Sequence, residues 1–348
     1  AATLAAAEVP GAPGTLETRR AGRILPGATL ALGLAAPFAA SAALGEFGNT
    51  VVVQAAIAMV AVAGLHVLVH WTGQISLAQV ALMGVAAFVT ARANADLGVP
   101  LPVAMLLGVA SAVIASLAIG VPALRIRGLA LAITTLAFAY AASRWLFLQT
   151  WLVPQVSGIP LRDGSVFGFD VTQSKQLVIP AGLTCVAVVA ITSFIGSSTL
   201  GRSLRMVAHD EEVAASYGID VPAHKLVAFL YAGACAGLAG AFTVASIGRV
   251  GPQAFPVGKA ILFLSAVLLG GPGPVRGSLQ VAAGFAAVPV LARGLGHYID
   301  LVGPLAILVV INVSPAGLNG LQCSLHHALA RLLHRRAGPT VPSAGGDQ

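Results

Sequence analysis

The sequence predicts an all-α fold, a polytopic transmembrane helical bundle of about eight to ten spans, some of them short or broken. Two features of the composition predict it: 57% of the 348 residues are hydrophobic and only 9% are charged, whereas about 25% of a soluble domain is charged. Apolar runs of roughly 18–24 residues recur along the chain, and each is long enough to cross the hydrocarbon core as a helix. The runs are continuously apolar, which excludes the alternating strands of a membrane barrel.

Ten candidate spans divide the chain into a membrane domain, residues 23–321, with a tail at each end. Residues 1–22 are rich in Ala, Gly and Pro and are predicted to be a disordered tail that is not cleaved. Residues 322–348 are a basic tail. The candidate spans lie at about 24–44, 49–71, 74–94, 99–122, 128–148, 177–196, 226–247, 258–271, 278–293 and 299–314.

Basic residues predict the orientation of the spans. If the first tail is cytoplasmic, twelve of the nineteen Lys and Arg residues fall on the inner side. The positive-inside rule then places both termini in the cytoplasm. Segment 197–225 becomes a cytoplasmic connection, and segment 149–176, rich in Gly and Pro, becomes an outer loop that either docks a partner or covers the bundle.

Several function classes are disfavoured by what the sequence lacks. The net charge of +7 comes from scattered single basic residues, without the aromatic interleaving of a nucleic-acid site. No candidate span carries a carboxylate near its centre, which disfavours intrinsic ion coupling. The stretch GPQAFPVGKA at 251–260 has Ala260 where a phosphate loop needs Ser or Thr for magnesium. We therefore expect no nucleotide, metal or other cofactor on this chain.

Residues 209–220, HDEEVAASYGID, are a charged stretch between two apolar runs. Asp210 is predicted to cap a helix of under two turns by accepting backbone N–H groups, with Glu211 at the positive end of its dipole. Gly218 is predicted to end this helix in the left-handed conformation. So short a helix is unstable alone in water. It is either part of a solvated connection or a surface that docks another protein.

The string E-x-V-A-A-S-Y-G, Glu211 to Gly218, resembles the Glu-Ala-Ala loop of ABC-importer permeases. It is most similar to the membrane-spanning subunits of the branched-chain (hydrophobic) amino-acid uptake family. Six pieces follow that family's order and cover roughly residues 70–321. The other five are WTGQISLAQVALMGVAAF at 71–88, PALRIRGLALAITTLAFA at 122–139, AGLAGAF at 236–242, LLGGPGPVRGSL at 268–279 and SPAGLNGL at 314–321.

The resemblance implies a transport subunit, not an enzyme, in the inner membrane of a bacterium. It also implies three kinds of partner: two ATPase subunits that carry ATP and magnesium, a second homologous permease subunit, and an extracytoplasmic solute-binding protein. The 210–218 helix would sit in a groove of an ATPase subunit. Glu211 would anchor the helix to the ATPase subunit by its charge. The small side chains of Ala214 and Ala215 would let the two proteins approach closely, and Gly218 would end the helix in a sharp turn. Residues expected in this ATPase coupling are Arg202, Arg205, Asp210, Glu211, Ala214, Ala215 and Gly218, with the two arginines available to pair with acidic groups.

Polar residues within the spans are candidates for the translocation path, because hydroxyl and amide groups can bind the polar end of a zwitterion without a fixed charge. For each of them a helix-to-helix hydrogen bond is the alternative role. The candidates are Gly73, Gln74, Ser76, Gln79, Thr134 and Thr135.

The sequence departs from the family pattern at two places. Ala78, Gln79 and Val80 stand where the family commonly has a glycine and a small or aromatic pair, and 153–156 replaces a glycine-rich opening of the outer loop. The second departure falls where the outer loop begins and leaves the exact solute open. Branched-chain or related hydrophobic amino acids are the expected solutes. A urea or short-amide permease of the same architecture, and an ATPase-independent channel or secondary carrier, are the alternatives.

Glycines predict one smooth helix face in the 226–247 span. Gly233 and Gly237 are spaced by one helical turn, and Gly240 extends the same face. Small residues let helices approach closely in membranes. The sequence therefore predicts tight packing here, either within the chain or against a second permease subunit.

Overall fold

A computed structural model describes most of the central membrane domain. The two tails and the candidate spans 24–44, 278–293 and 299–314 lie outside the described residues. The described residues are 45–126, 128–150, 152, 158–162, 165–166, 169–170 and 174–270.

Helices dominate the described part of the chain, which confirms the predicted all-α class. A π-helical turn at Val67–Trp71 continues α1, and 3-10 turns lie at Leu146–Leu148 and Pro252–Ala254. The helices are α1 (Glu46–His66), α2 (Gln79–Ala95), α3 (Leu101–Ala123), α4 (Leu129–Arg144), α5 (Ser174–Ser197), α6 (Thr199–His209), α7 (Glu211–Ser216), α8 (Val221–Ile247) and α9 (Gly258–Gly270). The strands are β1 (Ile159–Pro160), β2 (Ser165–Val166), β3 (Phe169–Asp170) and β4 (Arg249–Val250).

Five helices of the described residues are long and apolar enough to cross a membrane. They agree with the predicted spans to within a few residues, because long apolar runs are the strongest signal in such a sequence. The predicted span 74–94 is wrong at its start, since the helix begins only at Gln79. The five helical ranges are 46–71, 101–123, 129–148, 176–197 and 221–247.

Helices α1 and α8 form the centre of the bundle. In the most apolar 18-residue stretch of each helix, 78% of the residues of α1 and 72% of those of α8 are buried. The buried share is 33% in α3, α4 and α5. Helix α8 packs along α1, α2 and α3, and α5 packs on the other side of α1. The outer helices expose large apolar side chains such as Leu106 and Ile114. In a bilayer such side chains lie against lipid or another apolar surface.

The glycine face of α8 packs within the chain, which confirms the first of the two predicted uses. A Cβ added at Gly237 would come within 2.8 Å of the Val109 Cα in α3. One added at Gly233 would collide with Ser116 of α3, and one at Gly240 with the backbone of Met83 in α2. These close approaches hold α2, α3 and α8 as one packed unit.

The connections between helices separate into two ends of the bundle. At one end, which we call the α6–α7 end, Trp71 and Leu204 share an apolar cluster with Ala123 and Phe229. At the other, the β1–β4 end, β1 pairs antiparallel with β4, and the Leu161 N–H donates to the Gly248 carbonyl at 3.0 Å.

Candidate functional site

Helices α6 and α7 form a capped pair at one end of the bundle. The Asp210 N–H closes α6 by donating to the Met206 carbonyl at 3.1 Å. Its Oδ1 then accepts the N–H groups of Glu212 at 2.8 Å and Val213 at 3.1 Å. One residue therefore ends α6 and begins α7, and the predicted cap at Asp210 is confirmed.

Gly218 ends α7 as predicted. Its φ of +79° is left-handed, a region that glycine enters without the steric cost of a Cβ. The following Ile219 N–H donates to the Ala214 carbonyl at 3.2 Å. The Asp220 side chain then caps α8 by accepting the Ala223 N–H at 3.1 Å. The chain turns from α7 into α8 within four residues.

The two alanines of α7 differ in burial. Ala214 is completely buried, whereas Ala215 is exposed. The expectation that both lie where a partner could approach the backbone is wrong for Ala214, because α7 packs against α6 and α8 through this side. The exposed side of α7 instead carries Val213, 48% exposed, and Tyr217, 75% exposed.

Glu211 contacts its own chain. Its Oε1 lies 2.6 Å from the Nζ of Lys225 in α8. The Lys225 side chain is only 4% exposed, against 25% for Glu211. The role of Glu211 as a charged anchor for a partner stays a prediction, and the structure adds that its carboxylate forms an ion pair within the chain. Sequence reasoning missed this pair because a separation of fourteen residues across two caps has no helical period.

Arg202 and Arg205 bind the end of α5 instead of the expected acidic groups. Arg202 Nη1 donates to the Ser197 carbonyl at 3.1 Å, and Arg205 Nη2 to the Gly196 carbonyl at 2.9 Å. The Arg205 guanidinium also lies 5.7 Å from the ring centroid of Trp71. Cations near a helix C-terminus satisfy its last carbonyls and its dipole. Both arginines thus fix α6 beneath α5 while remaining exposed.

An open depression of about 350 Å³ lies on the exposed surface of α6 and α7. Its lining mixes apolar and basic side chains with the capping aspartate. Met206 and Val213, which are 37% and 48% exposed, supply the apolar part. The residues that line it are Arg202, Arg205, Met206, His209, Asp210 and Val213.

The connection 72–78 separates the π turn that continues α1 from α2, and it is non-helical from Gly73 onward. Gly73 has a left-handed φ of +67°. The Gln74 N–H then donates to the Leu68 carbonyl at 2.9 Å, and the Leu77 N–H to Thr135 Oγ1 at 3.0 Å. Backbone outside a helix survives at membrane depth only when protein or a water-filled space satisfies it. These bonds are the physical reason that the predicted span 74–94 begins late.

Gln79 places the start of α2 deep in the bundle. Its Nε2 donates to the Ala61 carbonyl of α1 at 2.9 Å and lies 3.4 Å from the Ala232 carbonyl of α8. Ala61 precedes Trp71, the end of the π turn, by ten residues, which is about 15 Å of helix. The segment 72–78 therefore runs back into the bundle before α2 begins.

The six path candidates divide into three groups. Ser76, Gln79 and Thr135 are buried and hydrogen-bonded within the chain. Gln79 and Thr135 thereby take the linking role that the sequence left open, whereas the Ser76 hydroxyl accepts the N–H of nearby Ala78. Gly73 and Thr134 are exposed. Gln74 is only 6% exposed, and neither atom of its side-chain amide has a hydrogen-bond partner among the described residues. A buried amide without a partner is costly. Gln74 is therefore the candidate whose side-chain donor and acceptor are available to hydrogen-bond a solute.

Replacing Thr135 with valine is expected to lower the stability of the bundle by about 1–3 kcal/mol, because the buried Leu77 N–H loses its acceptor. Replacing it with serine keeps the hydroxyl and serves as the matched control. The measurement is the thermal unfolding midpoint of the purified chain in detergent. Equal midpoints for the two variants would show that this bond does not hold the segment.

A family model described as "Branched-chain amino acid transport system / permease component" matches residues 49–313. The chain belongs to this family. Members of this permease family are transport components, so the chain is one too, and its apolar spanning helices make it an integral membrane protein. No solved structure matches it.

Two curated relatives carry the same printed description, "High-affinity branched-chain amino acid transport system permease protein LivM". The chain is 27% identical to the Salmonella typhimurium protein over 277 residues, 71% of this chain and 64% of that protein. It is 26% identical to the Escherichia coli protein over 313 residues, 82% of this chain and 72% of that protein. The chain thus spans slightly less than two thirds of one relative and somewhat more of the other.

Proposed function

We propose that this permease is the membrane-spanning subunit of an ATP-driven importer for branched-chain or related hydrophobic amino acids. It would work with two ATPase subunits, a second homologous permease subunit and an extracytoplasmic solute-binding protein. ATP and magnesium would bind to the ATPase subunits. The α6–α7 end would face the cytoplasm of a bacterium, with both termini on that side of the inner membrane.

The observation that carries this proposal is the exposed, capped α6–α7 pair. A six-residue helix is held in place by a cap at each end and by a buried alanine, yet it presents Val213 and Tyr217 outward. Exposed aromatic and apolar side chains surrounded by charge are typical of docking surfaces. An ATPase groove with an apolar floor and acidic rim would fit Val213 and Tyr217 and the basic side chains of Arg202 and Arg205.

The proposed docking surface differs from the sequence prediction in its contact residues. Ala215, Val213 and Tyr217 would touch the ATPase subunit, with Arg202 and Arg205 at the rim. Asp210, Ala214 and Gly218 would instead hold α7 in the shape that docks. Closing of the ATPase pair would press on α7 and shift the equilibrium between two arrangements of the spans.

The proposed path runs beside the segment 72–78. Gln74 would offer amide hydrogen bonds to the polar end of the solute, and Thr134 and Gly73 are exposed near the same break in the helix. Ser76, Gln79 and Thr135 would hold this segment in shape. Broken helices inside a membrane leave polar backbone where a solute needs it.

The test is uptake by vesicles that contain the purified complex. The complex of this chain with its second permease and ATPase subunits is expected to accumulate labelled leucine when ATP is inside and loaded binding protein is outside. Unlabelled valine and isoleucine are expected to compete, and urea and acetamide are not. Competition by urea alone would favour the amide alternative. Uptake that persists without ATPase subunits would favour a channel or secondary carrier and would refute ATP coupling.

A further inference from the structure

The ion pair between Glu211 and Lys225 joins the first residue of α7 to the second turn of α8. Lys225 is nearly enclosed, with 4% of its side chain exposed, and the two charged atoms are 2.6 Å apart. An ammonium group is retained in such a place only when a paired charge offsets its desolvation. The partially exposed carboxylate of Glu211 is therefore fixed in position by a buried group.

The chain between α7 and α8 is a four-residue turn and not a continuous helix. It passes through Gly218, which lacks a Cβ and adopts φ of +79°, and a helix as short as α7 has little stability of its own. Besides its caps, two contacts hold α7 against the bundle. One is the burial of Ala214, and the other is the ion pair of Glu211, which lies three residues earlier and therefore on the same side of α7.

Helix α8 is suited to carry a displacement into the membrane. It is 27 residues long, or about 40 Å, and it runs through the centre of the described bundle. Gly237 and Gly240 bring it into backbone contact with α3 and α2. Interfaces packed this closely move as units and do not deform continuously.

We propose that the Glu211–Lys225 ion pair is the link that transmits movement of α7 to α8. Glu211 and Lys225 are thus positioning residues that couple ATPase closure to the spans without touching the ATPase subunit. This inference rests on the proposed function. It differs from the sequence-based expectation, in which Glu211 bound the partner directly.

The experiment compares Glu211→Gln, Lys225→Gln and the exchanged pair Glu211→Lys/Lys225→Glu in the reconstituted complex. Three quantities are measured for each: the amount of ATPase subunit that co-purifies, the rate of ATP hydrolysis, and leucine uptake per ATP hydrolysed. We expect both single variants to retain the ATPase subunits but to lose roughly tenfold in uptake per ATP, within the range of single substitutions that disturb coupling. The exchanged pair is expected to recover part of that loss.

Glu212→Gln is the matched control, because Glu212 is the next residue of the same turn and its side chain is exposed. It is expected to keep the wild-type ratio. The double variant Glu211→Gln/Lys225→Gln leaves no unpaired buried charge, so it tests the link even where Lys225→Gln or Glu211→Gln alone fails to fold. This double variant is expected to co-purify with the ATPase subunits and to show the same low leucine uptake per ATP as the single variants.

Two results would overturn the inference. One is a wild-type ratio of uptake to hydrolysis in the double variant, which would show that the ion pair transmits nothing. The other is loss of the ATPase subunits from Glu211→Gln but not from Lys225→Gln, which would show that Glu211 contacts the partner. In both cases the wild-type complex still couples ATP to uptake, so the proposed function survives. Failure of the wild-type complex itself would refute the proposed function instead.

Discussion

Replacing Val213 with aspartate is expected to release the ATPase subunits from the purified complex. Val213 is 48% exposed and lines the depression on α6 and α7, so its side chain would enter the docked interface. An unpaired carboxylate buried there costs about 2–5 kcal/mol, which weakens binding by roughly thirtyfold or more. The cap at Asp210 uses the backbone N–H of Val213 and is left in place.

Co-purification from detergent measures this effect as the ratio of ATPase subunit to permease. Leu97→Asp is the matched control, because Leu97 is 73% exposed and lies in the connection between α2 and α3, near the β1–β4 end. It is expected to keep the wild-type ratio. If Val213→Asp retains its ATPase subunits and its uptake, the α6–α7 surface is not the docking site.

Replacing Gly240 with leucine is expected to disrupt the bundle itself. Even a Cβ at this position would collide with the Met83 backbone of α2, and a backbone cannot swing aside as a flexible side chain does. Overpacking of a well-packed interior costs about 1–3 kcal/mol and occasionally more, and the larger side chain places this variant at the upper end. The gain of about 1 kcal/mol from removing a helical glycine does not offset it.

The thermal unfolding midpoint and the monodispersity of the chain in detergent measure this loss. Ala110→Leu in α3 is the control, since it adds a similar volume at an exposed position and is expected to leave the midpoint within a degree or two of wild type, as most surface substitutions do. A Gly240→Leu variant as stable as Ala110→Leu would mean that α2 and α8 are not held in backbone contact.

The long helices could be predicted from the sequence because hydrophobic length is a strong and local signal. Helices α3 and α8 lie within a few residues of their predicted spans. The start of α2 could not be predicted in this way. The stretch WTGQISLAQ is apolar enough to continue a span. One bond that keeps it out of a helix comes from Thr135, 58 residues away in the chain, which only the packed structure brings close.

The ends of α7 could also be predicted, because Asp210 and Gly218 act on their own local backbone. Which residues of α7 are buried and which are exposed could not be predicted. Six residues give too few turns for a hydrophobic period, so nothing in the sequence distinguishes buried Ala214 from exposed Ala215. The partner of Glu211 was missed for a similar reason, since Lys225 comes close only after the chain has turned into α8.

Helix α8 also reaches the opposite face of the protein. It ends at Gly248, whose carbonyl accepts the Leu161 N–H, and β4 continues from it into a pairing with β1 of the connection between α4 and α5. Helix α8 is therefore held near its start by the Glu211–Lys225 ion pair and just after its end by the pairing of β4 with β1. Thermodynamic linkage makes any coupling along this helix reciprocal. If ATP on one side of the membrane alters the affinity of the other side for a solute receptor by some factor, that receptor must alter the affinity for ATP by the same factor.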